Sequence, residues 1–317
     1  MKERLQYFPV TMYATVMGLT GLTIVFHRFF QMGALPEWLY LANLAFVSLL
    51  FLTISVTYAR KAFKYFAEVK ADFAHRIRIN FFSAISISFL LLSLAYLPLH
   101  PEVAEVLWYI GVVLHTLLML HTISFWIQHN FEIQTMNPAW FIPVVGNIII
   151  PVAGVEFMPV TFNFFYFSVG FFFWFVLFTI FLNRAIFHHQ LPQKFMPTLF
   201  ILIAPPAVGF IAYMKITENF DYFAQFMLML TYFFLALLVF LRKNFYKLTF
   251  YLSWWAFTFP LTAATLASLM AFHQTHQLFF KVMAWLLMVV SVMVIGLVTW
   301  KTIQRMRAGE ICVNEDK

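Results

Sequence analysis

Charge is scarce in this chain. Asp, Glu, Lys and Arg together make up 10% of its 317 residues, whereas 63% are hydrophobic and 43 are phenylalanine. A water-soluble core cannot absorb that much apolar surface, so a soluble globular fold is excluded. Cysteine is almost missing as well. The single Cys312 lies in the polar C-terminal tail, which excludes a disulfide framework and a thiolate metal site. Absent too is the polar/apolar alternation of a membrane β-barrel. No phosphate-cradling glycine loop, nucleophile elbow or pair of catalytic carboxylates can be found. The sequence therefore predicts no enzyme activity and no cofactor.

What remains is long, solidly apolar runs. Since roughly 20 apolar residues span a bilayer as a helix, the runs predict an all-α integral membrane protein. Charged or Pro/Asn-rich interruptions divide them into ten helices at approximately 8–30, 38–59, 79–97, 103–126, 138–155, 160–183, 197–214, 220–241, 249–270 and 279–300. The connections are short, which predicts a single membrane domain over 1–317 with a polar tail from 301. The N-terminal "MKERLQYFPV" runs into the first span without a small-residue cleavage pattern, so no removable signal peptide is expected.

Basic residues then orient the helices. Of the 20 Lys and Arg, all but Arg28, Lys215 and Lys281 fall on the termini or on even-to-odd connections. By the positive-inside rule, both termini are expected in the cytoplasm and the helices form five antiparallel hairpins. The net charge of +7 is explained by anionic lipid headgroups, and no nucleic-acid partner is implied.

Proline and glycine separate odd helices from even ones. Helix 9 centres between Phe259 and Pro260, helix 7 between Pro205 and Pro206, and helix 5 near Gly146 and Asn147 with Pro143 and Pro151 on either side. Helix 1 centres near Gly18 and Gly21, and helix 3 carries Ser83, Ser86 and Ser88. No proline lies inside an even span. Proline removes a backbone donor, which a membrane tolerates where protein or a cavity meets the freed carbonyl. Five odd helices lining an axial pore, enclosed by five even ones, would account for the pattern. Proline and glycine as ordinary packing devices of membrane helices would account for it equally.

No charged residue falls in the central part of any span, which argues against a proton-driven pump. Selectivity would then come from pore width, backbone and hydroxyl dipoles, and the cost of dehydrating the ion. Thr258, Thr262 and Thr265 share one face of helix 9. They are candidates to favour a small anion, or else they bond back to the preceding turn. Histidine offers no metal site: His115 and His121, six residues apart, point about 240° away from each other around one helix. Interhelical hydrogen bonding is the expected role.

Several stretches carry a resemblance. "YARKAFKYFAEVKADFAHRIRI" after helix 2, "PEVAEVLWYIG" opening helix 4, "NPAWFIPVVGN" in helix 5, "APPAVG" in helix 7 and "WWAFTFP" in helix 9 resemble the tellurite-resistance/dicarboxylate transporter family, which includes the slow-type anion channel of plant guard cells. The likeness covers roughly residues 8 to 305. It implies a homotrimer, each protomer with five helical hairpins in quasi-fivefold arrangement around its own pore and odd helices inside. It also implies that Phe259, matching a pore-plugging phenylalanine of the family, is the gate, and that Pro260 aims its ring across the bore. The expected kinks are then Pro143, Pro151, Pro205, Pro206 and Pro260, and the expected lining includes Gly18, Ser86, Gly146, Asn147, Trp255 and Thr262. Two positions depart from the family pattern: Ser86 stands where relatives commonly have proline, and Ala14 where they have glycine. The bore beside helices 1 and 3 is therefore left open.

These readings converge on a channel for small monovalent inorganic anions such as chloride and nitrate, in a membrane that is expected to be the bacterial inner membrane. The alternative is a secondary transporter or efflux protein for C4-dicarboxylate, sulfite or tellurium oxyanions. A doubly charged dicarboxylate would call for Arg or Lys at depth, and none is there.

Overall fold

Inside lipid a helix is the one local structure that satisfies its own N–H and C=O groups, and these apolar runs take it throughout. The computed structural model describes residues 4–313. Among them nine helices are long and apolar enough to cross a membrane, and a shorter apolar helix stands fifth in chain order. In sequence they are α1 (Val10–Gln31), α2 (Glu37–Lys64), α3 (Arg78–Tyr96), α4 (Pro101–Gln128), α5 (Pro138–Gly154), α6 (Val160–Phe187), α7 (Gln193–Thr217), α8 (Tyr222–Phe245), α9 (Leu252–Thr275) and α10 (Leu278–Arg307). No strand occurs among the described residues, so the chain is the all-helical membrane protein its composition predicts.

Local chemistry sets the helix ends. Residues with left-handed backbone, Gly33 (φ +70°), Glu218 (φ 53°) and His276 (φ 56°), stop α1, α7 and α9. Asp221 opens α8 by accepting hydrogen bonds from the backbone N–H groups of Phe223 (3.0 Å) and Ala224 (2.9 Å). That capping, together with the hydroxyl of Tyr213, holds the Asp221 carboxyl below its ordinary range, the Tyr213 hydrogen bond contributing most.

Burial alternates along the chain. In α1, α3, α7 and α9 between 67% and 78% of the apolar window is buried, against 28% to 33% in α2, α4, α6, α8 and α10. Nearly every residue of α5 is buried as well. Each odd helix packs on the even helix that follows it, and also on the next odd helix: α1 on α3, α3 on α5, α5 on α7, α7 on α9, with α9 closing back onto α1. The even helices present Phe, Leu and Val outward, as in Phe172 and Val289.

The odd helices share a second property. Each begins as a 3₁₀ helix and continues as an α-helix: α1 changes after Met12, α3 after Phe81, α7 after Ile203 and α9 after Phe257. In α5 the 3₁₀ stretch Gly146–Ile149 separates two short α segments. The breaks expected at Pro143, Pro151, Pro205, Pro206 and Pro260 take this form. Each proline falls in the first turn of an α segment, where its missing N–H would lack an intrahelical partner anyway. A 3₁₀ run as long as Gln193–Ile203 is uncommon.

At the face rich in basic residues, Lys61 is buried, with 2% of its side chain exposed. Its ammonium donates to Asp72 (2.8 Å) and to the carbonyl of Phe8 (3.0 Å), and Asp72 also accepts from Arg78 at 3.0 Å. The cluster ties α2, the short helix Phe66–Phe73, the start of α3 and the N-terminal segment together. A buried charge is tolerated only when paired in this way.

Candidate functional site

The ring of odd helices encloses two cavities placed end to end. The first, about 550 Å³, opens on the basic face and the second, about 500 Å³, on the opposite face. All five odd helices line both. The first also takes residues from the connections and from the C-terminal segment, including Arg305, Glu310 and Ile311. Three residues belong to both cavities: Ile149 on α5, Val208 on α7 and Phe259 on α9. On the other two helices the wall passes from one cavity to the other between Met17 and Gly21 and between Ile87 and Leu91. The two cavities thus share an apolar septum, to which Phe259 contributes the largest side chain.

Local structure places that ring. The change from 3₁₀ to α at Thr258 and the proline at 260 bracket Phe259. Phe259 is half-buried, whereas its neighbours Thr258 and Pro260 are buried. Close packing of α9 on α1 sets the backbone around it. A side chain on Gly18 would collide with the hydroxyl of Thr258, and one on Gly21 with that of Thr262. The three threonines singled out on α9 donate backward, Thr258 to the carbonyl of Trp255 (2.7 Å), Thr262 to that of Phe259 (2.8 Å) and Thr265 to that of Leu261 (2.8 Å). Their hydroxyls serve the helix rather than the cavity.

Of the residues singled out from sequence, Phe259, Pro205, Pro260, Gly146 and Trp255 line the first cavity. Trp255 is pinned by a 3.0 Å hydrogen bond from its indole N–H to Thr302 on α10. Gly18 and Thr262 belong to the α1–α9 contact. Ser86 faces α4, where its Oγ lies 2.9 Å from Nδ1 of His115 and donates to the carbonyl of Ser83 at 2.8 Å. Asn147 is buried and donates to the carbonyl of Val144 at 2.7 Å. Pro143, Pro151 and Pro206 are buried without lining either cavity. Ile149 and Val208 were not foreseen, for nothing in their residue type separates them from other apolar residues on odd helices.

The electrostatics of the path are one-sided. The first cavity is lined by His75, Arg78, Lys194 and Arg305 with one carboxylate, Glu310, which pairs with Arg305. The second is lined by His27, Arg28, Lys215 and His273 with no Asp or Glu among its lining residues. Between them the wall is apolar. Basic mouths inside low-dielectric walls concentrate anions, and a narrow apolar section admits an ion only after it sheds water. Among the described residues no three His, Cys, Asp or Glu side chains group closely enough to hold a metal ion.

Sequence comparison agrees with this geometry. A family model described as "Voltage-dependent anion channel", the SLAC1 family, matches residues 7–303. The chain belongs to that family. Among relatives of this SLAC1-family protein, the S-type anion channel SLAH3 of Arabidopsis thaliana is 30% identical over 276 residues, which cover 83% of this chain and 42% of SLAH3. The Uncharacterized transporter MJ0762 of Methanocaldococcus jannaschii is 27% identical over 289 residues, 82% of this chain and 84% of that one. The Tellurite resistance protein TehA homolog of Haemophilus influenzae is 26% identical over 258 residues, 80% and 77% of the two chains. The match spans about half the length of the plant relatives SLAH3 and SLAH2.

Proposed function

We propose that this SLAC1-family protein is a channel for small monovalent anions such as chloride and nitrate, with Phe259 as the gate of an axial path. The observation that carries the reading is the shared septum. Two basic cavities meet at Ile149, Val208 and Phe259, and in this reading displacement of the Phe259 ring joins them. No fixed charge sits at the septum to bind an ion tightly, so the anion that dehydrates most easily passes best, nitrate ahead of chloride. In this reading the basic face with both termini is cytoplasmic, the membrane is the bacterial plasma membrane, and the protein assembles as a homotrimer with one path per protomer. No catalytic step is assigned.

The test is anion current in planar bilayers for the unaltered protein and for Phe259→Ala, with chloride, nitrate and malate compared by reversal potential. A small current that becomes large and anion-selective in the variant supports the gated channel. The second reading is a secondary transporter or efflux protein for a dicarboxylate, sulfite or tellurium oxyanion. The names of two relatives, a transporter and a tellurite resistance protein, favour it. Saturable malate uptake into liposomes that depends on counter-substrate, with no current from either protein, would establish it instead.

A further inference from the structure

The two mouths of the path owe their positive character to different groups. All five odd helices begin at the first cavity and end at the second, as Thr11, Phe81, Phe141, Phe195 and Leu252 at one mouth and Gln31, Leu97, Val152, Lys215 and His273 at the other indicate. A helix carries roughly half a positive charge at its N-terminus and half a negative charge at its C-terminus. The backbone thus favours anions at the first mouth and opposes them at the second. At the second mouth the opposition is met by side chains alone. Arg28 sits in the last turn of α1, Lys215 in that of α7 and His273 in that of α9, each facing the same cavity. Arg28 is half-buried and held by a 2.9 Å hydrogen bond to Gln31, itself a lining residue. Lys215 lies 3.8 Å from the half-exposed carboxylate of Glu156, which does not line the cavity.

Each basic residue could be read as no more than a partner for its own helix end. Their convergence on one cavity distinguishes them from that role. The cavity floor is Ile149, Val208 and Phe259 and its walls are chiefly Leu, Ile, Ala and Met, so low-dielectric walls focus the field of the cations on an ion inside. We propose that the second cavity is a binding vestibule for small anions, held by charge and without a fixed coordination geometry, and that Arg28 and Lys215 set its sign. With both neutralised, the five helix C-termini would dominate and the vestibule would prefer cations. This deepens the channel reading and rests on it for its place in conduction, but the site itself can be tested without current.

The experiment places a reporter thiol in the vestibule. In a Cys312→Ser background, which removes the one native cysteine, Met270→Cys on α9 lines the second cavity. The purified full chain is treated with methanethiosulfonate reagents carrying a sulfonate or a trimethylammonium group, and the ratio of the two rates reads the local potential. The anionic reagent should react faster in the parent. Arg28→Gln with Lys215→Gln should lower the anion-to-cation ratio by at least about tenfold, since two of the unit charges lining the reporter's own cavity are lost. Either single substitution should give an intermediate ratio. The exchange Arg28→Lys with Lys215→Arg, which keeps both charges, should restore it and shows that the effect is not misfolding. A parent ratio at or below one, or a ratio moved less than about twofold by the double neutralisation, overturns the proposal. The outcomes separate it from the channel reading: an unmoved ratio alongside anion-selective current in Phe259→Ala defeats the vestibule and leaves the channel standing. A ratio that responds in a protein without current leaves an anion site and removes the channel.

Discussion

His115 on α4 fills the space that a side chain on Gly146 of α5 would need: a Cβ there would stand 2.5 Å from Cε1 of the imidazole. The same ring is 2.9 Å from Ser86 Oγ on α3 through Nδ1, so one buried histidine outside the ring fixes two helices that line the path. Gly146 begins the 3₁₀ stretch of α5, and its lack of a side chain lets α4 approach.

Gly146→Ala should therefore cost about 1–3 kcal/mol through overpacking and displacement of His115. Thermal unfolding in detergent would read this as a lowered midpoint. Adding His115→Ala should return part of the loss, because the imidazole clash is then gone while the 2.8 Å approach to Ile87 Cδ1 remains, and the two changes should be non-additive. Additive losses would mean that the two residues are not in contact.

The architecture was largely legible in the sequence and the site was half legible. Length and purity of the apolar runs announce membrane helices, since nothing else can bury 43 phenylalanines. The parity of Pro143, Pro151, Pro205, Pro206 and Pro260 points to the odd helices because proline is tolerated only where the backbone leaves a regular α ladder. What proline did not reveal is the form of the departure, a 3₁₀ entry segment that recurs in α1 and α3 where no proline interrupts the helix core. Phe259 was accessible through its place beside Pro260 and through family resemblance. Ile149 and Val208 were not, because apolar residues that line two cavities and apolar residues that pack between helices obey the same hydrophobic rule. Ser86 and Asn147 were misleading for a related reason: a polar residue in a membrane helix can face a cavity or a neighbouring helix, and these two meet α4, Ser86 at His115 and Asn147 at the sulfur of Met119.

The buried Lys61 should reveal its pairing by what happens when the partner is removed. Asp72→Ala leaves an uncompensated ammonium in a site only 2% exposed and should destabilise by about 3–5 kcal/mol, enough to reduce the yield of folded protein. Replacing both members, Lys61→Met with Asp72→Ala, should recover much of the loss. Fluorescence-detected size exclusion over a temperature ramp would measure both. Arg78 would remain near the cavity mouth in either variant.

If Phe259 blocks the path by volume, the block should be transferable. In the Phe259→Ala protein the septum retains Ile149 and Val208, so Val208→Phe should restore an aromatic ring at the same depth from α7. The expected result is a large current in Phe259→Ala and a current at least about tenfold smaller in the double variant, as a narrow apolar section dewets again. A double variant that conducts as well as the single one would mean that the Phe259 position, rather than the width of the septum, controls passage.

The C-terminal segment reaches the first cavity by a built turn. Gly309, at φ +74°, ends α10, Glu310 N–H donates to the carbonyl of Arg305 at 3.0 Å, and the Glu310 carboxylate pairs with the Arg305 side chain. Behind that turn Ile311 is buried in the main hydrophobic core and, with Val313, lines the cavity mouth. Cys312, half-buried between them, has its thiol pushed upward by burial, although the nearby cations of Arg4 and Lys61 pull it down. A thiol with a raised pKa is less ionised at a given pH, and thiolate is the reactive form. Ile311→Ser, which weakens the apolar contact holding the segment, should therefore raise the modification rate of Cys312 by a soluble maleimide. The pH profile should shift toward lower values as the thiol returns to its ordinary range. If the segment obstructs the mouth, the same substitution in the Phe259→Ala background should also increase current from the basic face. A faster thiol with unchanged current would make the segment a surface strap that lies beside the path rather than across it.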